Sequence, residues 1–444
     1  MPARVSGDAP VNSARAAFAA RTSVYQQNSV RQVHSELHNA IGGGLIMIRR
    51  EASRLISTMA ESHQVLIIAG PRHAGKSVLA RRLLPDYTYI DLDSPTNMGF
   101  ARRYPVEFFR RCRGDIIIDE FHRAPELFKY IKDAAAGRRI VLITSRKPSL
   151  RTPHGVPPPV SRDAAAEAAA NADVGLVTLL PPSIKELNAG KISLERDEYI
   201  HRGFLPDAYK KKSNPRETQL RYLTALLQLD IAPLIRVESR EAFKRFFRLL
   251  AERVGLALNL YTFANTVGVS SYVIRRWIQV LEAHFVIFKV PVCPSRFHIH
   301  AGAIAIRAPK YYFTDVGLAA YLLKIQTPEQ VHRHPAVGNL FENLVVAEAL
   351  KATCNQEQKA NMFYYRNRNG FEVDLILSKG CSMVPIEIKS SPKFNASFAN
   401  NIRRFHSFAE NIADGYVVYS GAGSDRVKDT KYVNFRKVGE IVSG

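Results

Sequence analysis

An α/β fold built on a parallel sheet is predicted for the N-terminal part of this 444-residue chain, with a helical and winged-helix middle and a second α/β unit behind it. Three observations carry that reading. Short apolar runs alternate with helical stretches from Val65 to Leu180, the pattern of a parallel sheet covered on both faces. The first of these runs leads into Gly70-Pro71-Arg72-His73-Ala74-Gly75-Lys76-Ser77, a complete G-x-x-x-x-G-K-S loop. Near the other end, Glu387-Ile388-Lys389 lies in a run that alternates with the period of a strand.

In chain order, the first 46 residues are rich in Ala, Ser and Arg and show no sustained period, so a disordered extension is expected. Met47 opens an amphipathic segment in which Ile48, Leu55, Ile56 and Met59 stand near helical spacing. Strands are predicted at Val65–Ala69, Tyr87–Leu92, Asp115–Asp119, Ile140–Thr144 and Gly175–Leu180. A Pro-rich loop from Pro153 to Pro159 and an Ala-rich helix separate the last two.

The glycines of the loop let backbone amides approach phosphate oxygens, and the helix it opens adds a positive N-terminus. Residues 70–77 together with Val78 are therefore expected to hold ATP, with Lys76 on the β- and γ-phosphates and the Ser77 hydroxyl on magnesium. Ile116-Ile117-Ile118 carries Asp119-Glu120 to the carboxyl end of a buried strand. There Asp119 would hold magnesium, and Glu120 would polarise the attacking water. Thr144 and Ser145 end the next strand and could reach the γ-phosphate or that water.

From Ile184 to Val254 the pattern turns helical, with Leu220, Leu223, Leu226 and Leu227 placed on one face and Phe243, Phe246, Phe247 and Leu250 on another. A helix-turn-helix follows. Gly268 makes the turn, and the second helix has an inward stripe of Val273, Ile274, Trp277, Ile278 and Leu281, with Arg275 and Arg276 pointing away. Strands at Phe285–Val290 and Tyr311–Phe313 complete a winged-helix outline, and Arg275, Arg276, Arg296 and Lys310 would give it a DNA-facing charge.

In the C-terminal unit, strands are expected at Phe371–Leu377, Val384–Ile388 and Tyr416–Tyr419. Period two puts Glu387 and Lys389 on one face, Asp374 projects from a neighbouring apolar strand, and Glu342 sits on a helix. Converging carboxylates with an adjacent ammonium make a magnesium-dependent phosphodiesterase centre, with Asp374 and Glu387 as metal ligands. The same spacing also fits a surface Glu–Lys pair on an amphipathic strand. Arg366 is a candidate for the scissile phosphate. His298-x-His300 and His332-x-His334 lack cysteine partners at metal-binding spacing, and fit exposed or phosphate-facing roles better.

The formal net charge of +22 implies an attraction for polyanions, with nucleic acid, DNA above all, the first candidate partner. No apolar run reaches membrane-spanning length, so no membrane association is expected. Cys112, Cys293, Cys354 and Cys381 are widely spaced, which fits a reduced, cytoplasmic protein.

Taken together, the motifs resemble the prokaryotic AAA-like P-loop ATPases fused to a C-terminal PD-(D/E)XK nuclease-like domain of unknown function. The matching stretches include Gly70-Pro71-Arg72, Ile118-Asp119-Glu120 with Pro125-Glu126-Leu127-Phe128, and Leu180-Pro181-Pro182-Ser183 with Glu186-Leu187. Further matches are Gly203-Phe204-Leu205-Pro206, Pro309-Lys310-Tyr311-Tyr312-Phe313 with Asp315, and Phe341-Glu342, Tyr364-Tyr365-Arg366, Glu372-Val373-Asp374 and Glu387-Ile388-Lys389. Pattern and resemblance together, the latter covering about 47–389, give a disordered or non-native extension over 1–46, an AAA-like core over 47–190, a helical region over 191–255, a winged helix over 256–315 and a nuclease-like domain over 316–444. It assigns Glu342, Asp374, Glu387 and Lys389 to the nuclease centre, ATP and magnesium as cofactors, and nucleotide-gated action on nucleic acid. The alternative is a nucleotide-dependent switch or scaffold whose nuclease-like domain binds DNA or protein without cleaving.

The chain departs from the family in places. Ala172-Asp173 stands where a Gly-Arg pair is usual, Thr144-Ser145-Arg146 where Thr-Gly-Ser is common, and His122 where Gln is common. The missing arginine finger would have to come from Arg146, Arg151 or Arg162, or from a neighbouring subunit after self-association.

Overall fold

Five parallel strands, all but one edge strand carried by β-branched and leucine side chains, form the first sheet. They are β1 Val65–Ala69, β2 Thr88–Asp91, β3 Ile116–Asp119, β4 Ile140–Thr144 and β5 Val174–Thr178, in the order β2-β3-β4-β1-β5. The computed structural model describes residues 48–147, 173–235, 239–294, 306–356, 361–380, 382–407, 409–423 and 425–444. The expected extension over 1–46, Arg151, Arg162, Arg296, His298, His300 and Cys381 lie outside the described residues. Residues 48–208 and 214–444 make one unit, and every contact below lies within it.

Alternation along the central strands builds two cores. Val65, Ile67, Ile116, Ile118, Ile140 and Leu142 face one way, against Phe108, Phe109, Leu127 and Phe128. Leu66, Ile68, Ile117, Val141 and Ile143 face the other, against Ile56 of α1 (Ala52–Ser62) and Leu79 of α2 (Lys76–Leu83). Burial on both faces explains why these strands read as unbroken apolar runs. β5 starts one residue and stops two residues earlier than expected, because Leu179 and Leu180 leave the sheet toward α3 (Ile184–Ala189).

The helical region differs from the expected leucine face. On α4 (Pro215–Ala225) and the π-turn Leu226–Ile231, the buried side chains are Thr218, Gln219, Tyr222, Leu226, Asp230 and Ile231, whereas Leu220 is exposed. Polar residues go inside here because they have partners: Gln219 donates to Asp315, and Asp230 accepts from Arg72. The aromatic face of α5 (Arg240–Glu252) is buried as expected.

Next come α6 (Leu260–Val267), a turn with Gly268 at φ 81°, and α7 (Ser271–Ala283), capped by Ser270. β6 (Ile287–Val290) pairs antiparallel with β7 (Lys310–Phe313). Ile274, Trp277, Ile278 and Leu281 are buried and Val273 is half-buried. Arg275 is exposed and Arg276 half-buried. Lys310 corrects the expectation of a DNA-facing lysine, since its side chain is only 1% exposed and is drawn inward by carboxylates.

The last part follows α8 (Val316–Leu322) with the long helix α9 (Val337–Asn355), which is buried over most of its circumference. Its sheet holds β8 Met362–Arg366, β9 Glu372–Lys379, β10 Ser382–Lys389, β11 Gly415–Tyr419, β12 Arg426–Val427 and β13 Thr430–Asn434. The order is β12-β13-β11-β10-β9-β8. β8, β9 and β10 run antiparallel, and β10, β11 and β13 parallel.

Candidate functional site: a phosphate loop and a lysine-filled acidic centre

The loop after β1 is shaped by two glycines. A Cβ on Gly70 would stand 2.0 Å from the Leu179 carbonyl oxygen, and Gly75 has φ 91°. Both positions exclude other side chains without strain. α2 begins at Lys76, so its first-turn amides point out of the helix toward the loop. Lys76 is buried, and its ammonium donates to the Gly70 and Pro71 carbonyls at 3.1 and 2.9 Å. It also donates to Ser145 Oγ at 3.2 Å. Burial pushes its pKa down to about 8, against the pull of Glu120 and Asp119. Ser77 is half-buried, while His73 and Val78 are exposed.

At the end of β3, Glu120 adopts φ 50°, which turns its carboxylate back toward the loop. Ser145 Oγ donates to it at 3.1 and 3.3 Å. Lys76, Ser145 and Glu120 therefore form one line of contacts, and Ser145, of the two expected candidates, is the one that faces the phosphate site. Thr144 is spent locally, exchanging hydrogen bonds with the Arg146 backbone. Asp119 accepts from the Glu120 amide at 2.8 Å and from the Tyr89 hydroxyl at 2.5 Å. Ser77 and Asp119 together offer oxygen donors of the kind magnesium takes.

Two arginines brace this site: Arg72, expected within the phosphate loop, and Arg50, which spacing alone did not single out. Arg50 donates to Ala74 O inside the loop, to Leu180 O and to Glu186 Oε1. Arg72 makes a two-pronged pair with Asp230, Nε and Nη2 donating at 3.0 and 2.9 Å, and its Nη1 lies 3.5 Å from Glu120 Oε1. His122 stands 3.2 Å from Glu120 and is kept neutral, burial lowering its pKa to about 3.

These features are those of a nucleotide hydrolase, and the match to known sequences agrees. Residues 62–156 match the AAA domain. The N-terminal part of this chain is thus similar to an AAA-type P-loop ATPase domain. Behind it, residues 194–329 match a domain of unknown function (DUF8612), and residues 337–438 match another (DUF4143). The chain is similar to the uncharacterized proteins Rv2008c of Mycobacterium tuberculosis and Mb2031c of Mycobacterium bovis. Each is 26% identical over 367 residues, covering 80% of this chain and 77% of the relative. Among solved structures, the Walker-type ATPase paby2304 of Pyrococcus abyssi overlaps at a TM-score of 0.38 with 13% identity, over 63% of this chain and 99% of that one.

A second polar cluster lies in the C-terminal part. Glu342 of α9 accepts from Lys310 Nζ at 2.8 Å and from the Tyr312 hydroxyl at 2.6 Å. Lys310 also meets Glu372 at 2.5 Å, and Arg366 closes on Glu372 at 3.3 Å. Asp374 accepts from the Ile388 amide at 2.8 Å, which binds β9 to β10 beyond their last paired residues. Glu387 Oε1 accepts from Lys389 at 2.6 Å and Asn401 at 3.2 Å, while its Oε2 is buried with no hydrogen-bond partner.

Burial raises the pKa of Glu342, Asp374 and Glu387, and the field of Asp374 raises those of Glu342 and Glu387 further. The fold thus brings the four expected residues into one electrostatic neighbourhood and adds Lys310, Tyr312 and Glu372. Among the described residues, no group of three or more His, Cys, Asp or Glu is arranged to hold a metal ion. The buried orphan oxygen of Glu387, beside Asp374, is the feature that fits a cation. Of the histidines, His332 sits beside Arg196 and Asp197, and His334 accepts from the Ala336 amide.

Proposed function

We propose that this protein binds and hydrolyses ATP to control action on nucleic acid by its C-terminal domain, a magnesium-dependent nuclease-like domain gated by nucleotide state. The observation that carries the proposal is a physical connection between the two sites. Arg50 ties Ala74 of the phosphate loop to Glu186 of α3. At the start of the same helix, the Ile184 amide donates to Glu348, and Lys351 donates to the Pro182 carbonyl. Glu348 and Lys351 belong to α9, the helix that also carries Glu342. A change of loop shape on nucleotide binding is therefore delivered to a helix that forms one wall of the acidic centre.

In the ATPase site, Lys76 would exchange its carbonyl partners for phosphate oxygens, and Glu120 would take a proton from the attacking water. Magnesium, held by Ser77 and Asp119, would neutralise phosphate charge. In the C-terminal centre, Asp374 and Glu387 would hold the ion. Lys389 would face the reacting phosphate, and Arg366 would orient it. The exposed Arg275, half-buried Arg276 and the net charge of +22 support a nucleic-acid partner.

A second reading has its own observation. Lys310 already neutralises Glu342 and Glu372, which favours a switch whose C-terminal domain binds nucleic acid without cutting it. A cleavage assay on single-stranded, duplex and branched DNA, with and without ATP, separates the two. Magnesium-dependent cleavage that vanishes in Asp374→Ala while DNA binding persists supports the first reading. Binding without cleavage on every substrate supports the second, and absence of DNA binding removes both.

A further inference from the structure

Within the hydrolase reading, the source of the charge that stabilises the transferring phosphoryl group is open, because the usual Gly-Arg position is Ala172-Asp173. We propose that Arg72, the third residue of the phosphate loop itself, is that arginine, acting in cis, and that Asp230 is the positioning residue that aims it.

The geometry narrows the choice. A γ-phosphate must touch Lys76 and lie one water away from Glu120. Lys76 and Glu120 are already joined through Ser145, at 3.2 Å and 3.1 Å. Arg72 Nη1 stands 3.5 Å from Oε1 of the same Glu120 carboxylate. Hence both cations stand around the carboxylate beside which phosphate and water must meet. Arg72 is buried, but it is not folded away at random. Two of its nitrogens are fixed by the paired oxygens of Asp230, whose side chain is only 2% exposed, and this leaves Nη1 as the one directed at Glu120.

A fork held on one edge and presented on the other is the arrangement that planar phosphate recognition needs. His122, 4.0 Å from Asp230 and kept neutral by burial, adds no competing charge. In the reaction, water oxygen bonds to the γ-phosphorus and its proton passes to Glu120. The bond to the β,γ-bridging oxygen breaks, and its electron pair leaves with ADP. Arg72 answers the charge that builds on the γ-phosphoryl oxygens.

The test uses the full chain and three measurements. Arg72→Lys keeps the charge and loses the fork. It should bind ATP within about fivefold of wild type, yet turn it over at least about 100-fold more slowly. Binding of ADP with aluminium fluoride should weaken by the same factor as turnover, which a merely structural role would not produce. Asp230→Asn should lower turnover about tenfold at unchanged ATP affinity, and the double variant should be no worse than Arg72→Lys alone.

Should Arg72→Lys fail to fold, Asp230→Asn and the wild type still decide. Turnover per molecule must stay constant over a wide range of protein concentration if the arginine acts in cis, and must rise if it comes from a second copy. Turnover that climbs with concentration, an Arg72→Lys enzyme within threefold of wild type, or a loss that follows Arg146→Ala instead, overturns the inference and leaves the hydrolase reading intact. A wild type that binds ATP without hydrolysing it overturns both.

Discussion

Arg50 Nε lies 3.1 Å from Glu186 Oε1, and the two side chains are 7% and 0% exposed. The pair also satisfies the loop carbonyl of Ala74 and the backbone amides of Glu51 and Ser183. Removing one partner strands a buried charge, so Arg50→Ala should cost about 3–5 kcal/mol of stability. Equilibrium unfolding of Arg50→Ala beside Glu186→Gln measures it. A loss under about 1 kcal/mol would mean that water replaces the arginine.

ATP affinity should fall about tenfold or more in Lys76→Ala, because a charge-assisted contact to the phosphates is lost. The amine also makes binding depend on pH. Its pKa is pushed down to about 8 in the free protein, and phosphate favours the charged form. Above pH 8, ATP binding must therefore take up a proton, and affinity should fall as pH rises. Near pH 7, where the amine is already charged, uptake should vanish. Calorimetry in two buffers of different ionisation heat reads the uptake directly, and equal heats at pH 9 would contradict it.

Glu120→Gln keeps the shape and the Ser145 contact but removes the base. Turnover should drop by about 100-fold or more with ATP binding retained. Steady-state hydrolysis at the wild-type rate would move the role of base to another residue.

In the C-terminal centre, magnesium or manganese should raise the melting temperature by binding the folded state alone. At ten times the dissociation constant this linkage amounts to about 1.4 kcal/mol. Asp374→Ala and Glu387→Ala should lose that shift and still bind ATP. An equal shift in wild type and Asp374→Ala would leave the ion no seat at this pair.

Lys310→Met leaves Glu342 and Glu372 facing each other without their cation, and should destabilise the protein by about 3–5 kcal/mol. Adding Glu342→Gln should recover much of it. Chemical denaturation of the single and double variants gives the coupling, and simple additivity would show that Lys310 and Glu342 act independently.

The parallel sheet was legible because its inner strands are apolar on both faces, and the loop because glycine is obligatory where Leu179 presses on Gly70. β8 and β13 were not. Met362-Phe363-Tyr364-Tyr365-Arg366 drew attention only as a motif, and Thr430-Lys431-Tyr432-Val433-Asn434 hides a buried Thr430 and Tyr432 among polar neighbours. Pairing with β9 and β11 makes them strands, and pairing is not written in local composition. The partners of Arg50, Arg72 and Lys310 lie 136, 158 and 32 residues away. No spacing rule reaches that far, so a buried cation reads in the sequence as an ordinary surface charge.

The six-residue interval from Glu342 to Glu348 on α9 has a consequence for how this chain can vary. A helix rises about 1.5 Å and turns about 100° per residue, so the two glutamates are about 9 Å apart along the axis and on different sides of it. One inserted residue between them would swing Glu342 through about 100° while Glu348 stayed locked to Ile184. The length of this stretch is therefore as constrained as its buried side chains. A deletion or insertion between residues 342 and 348 should uncouple the two sites.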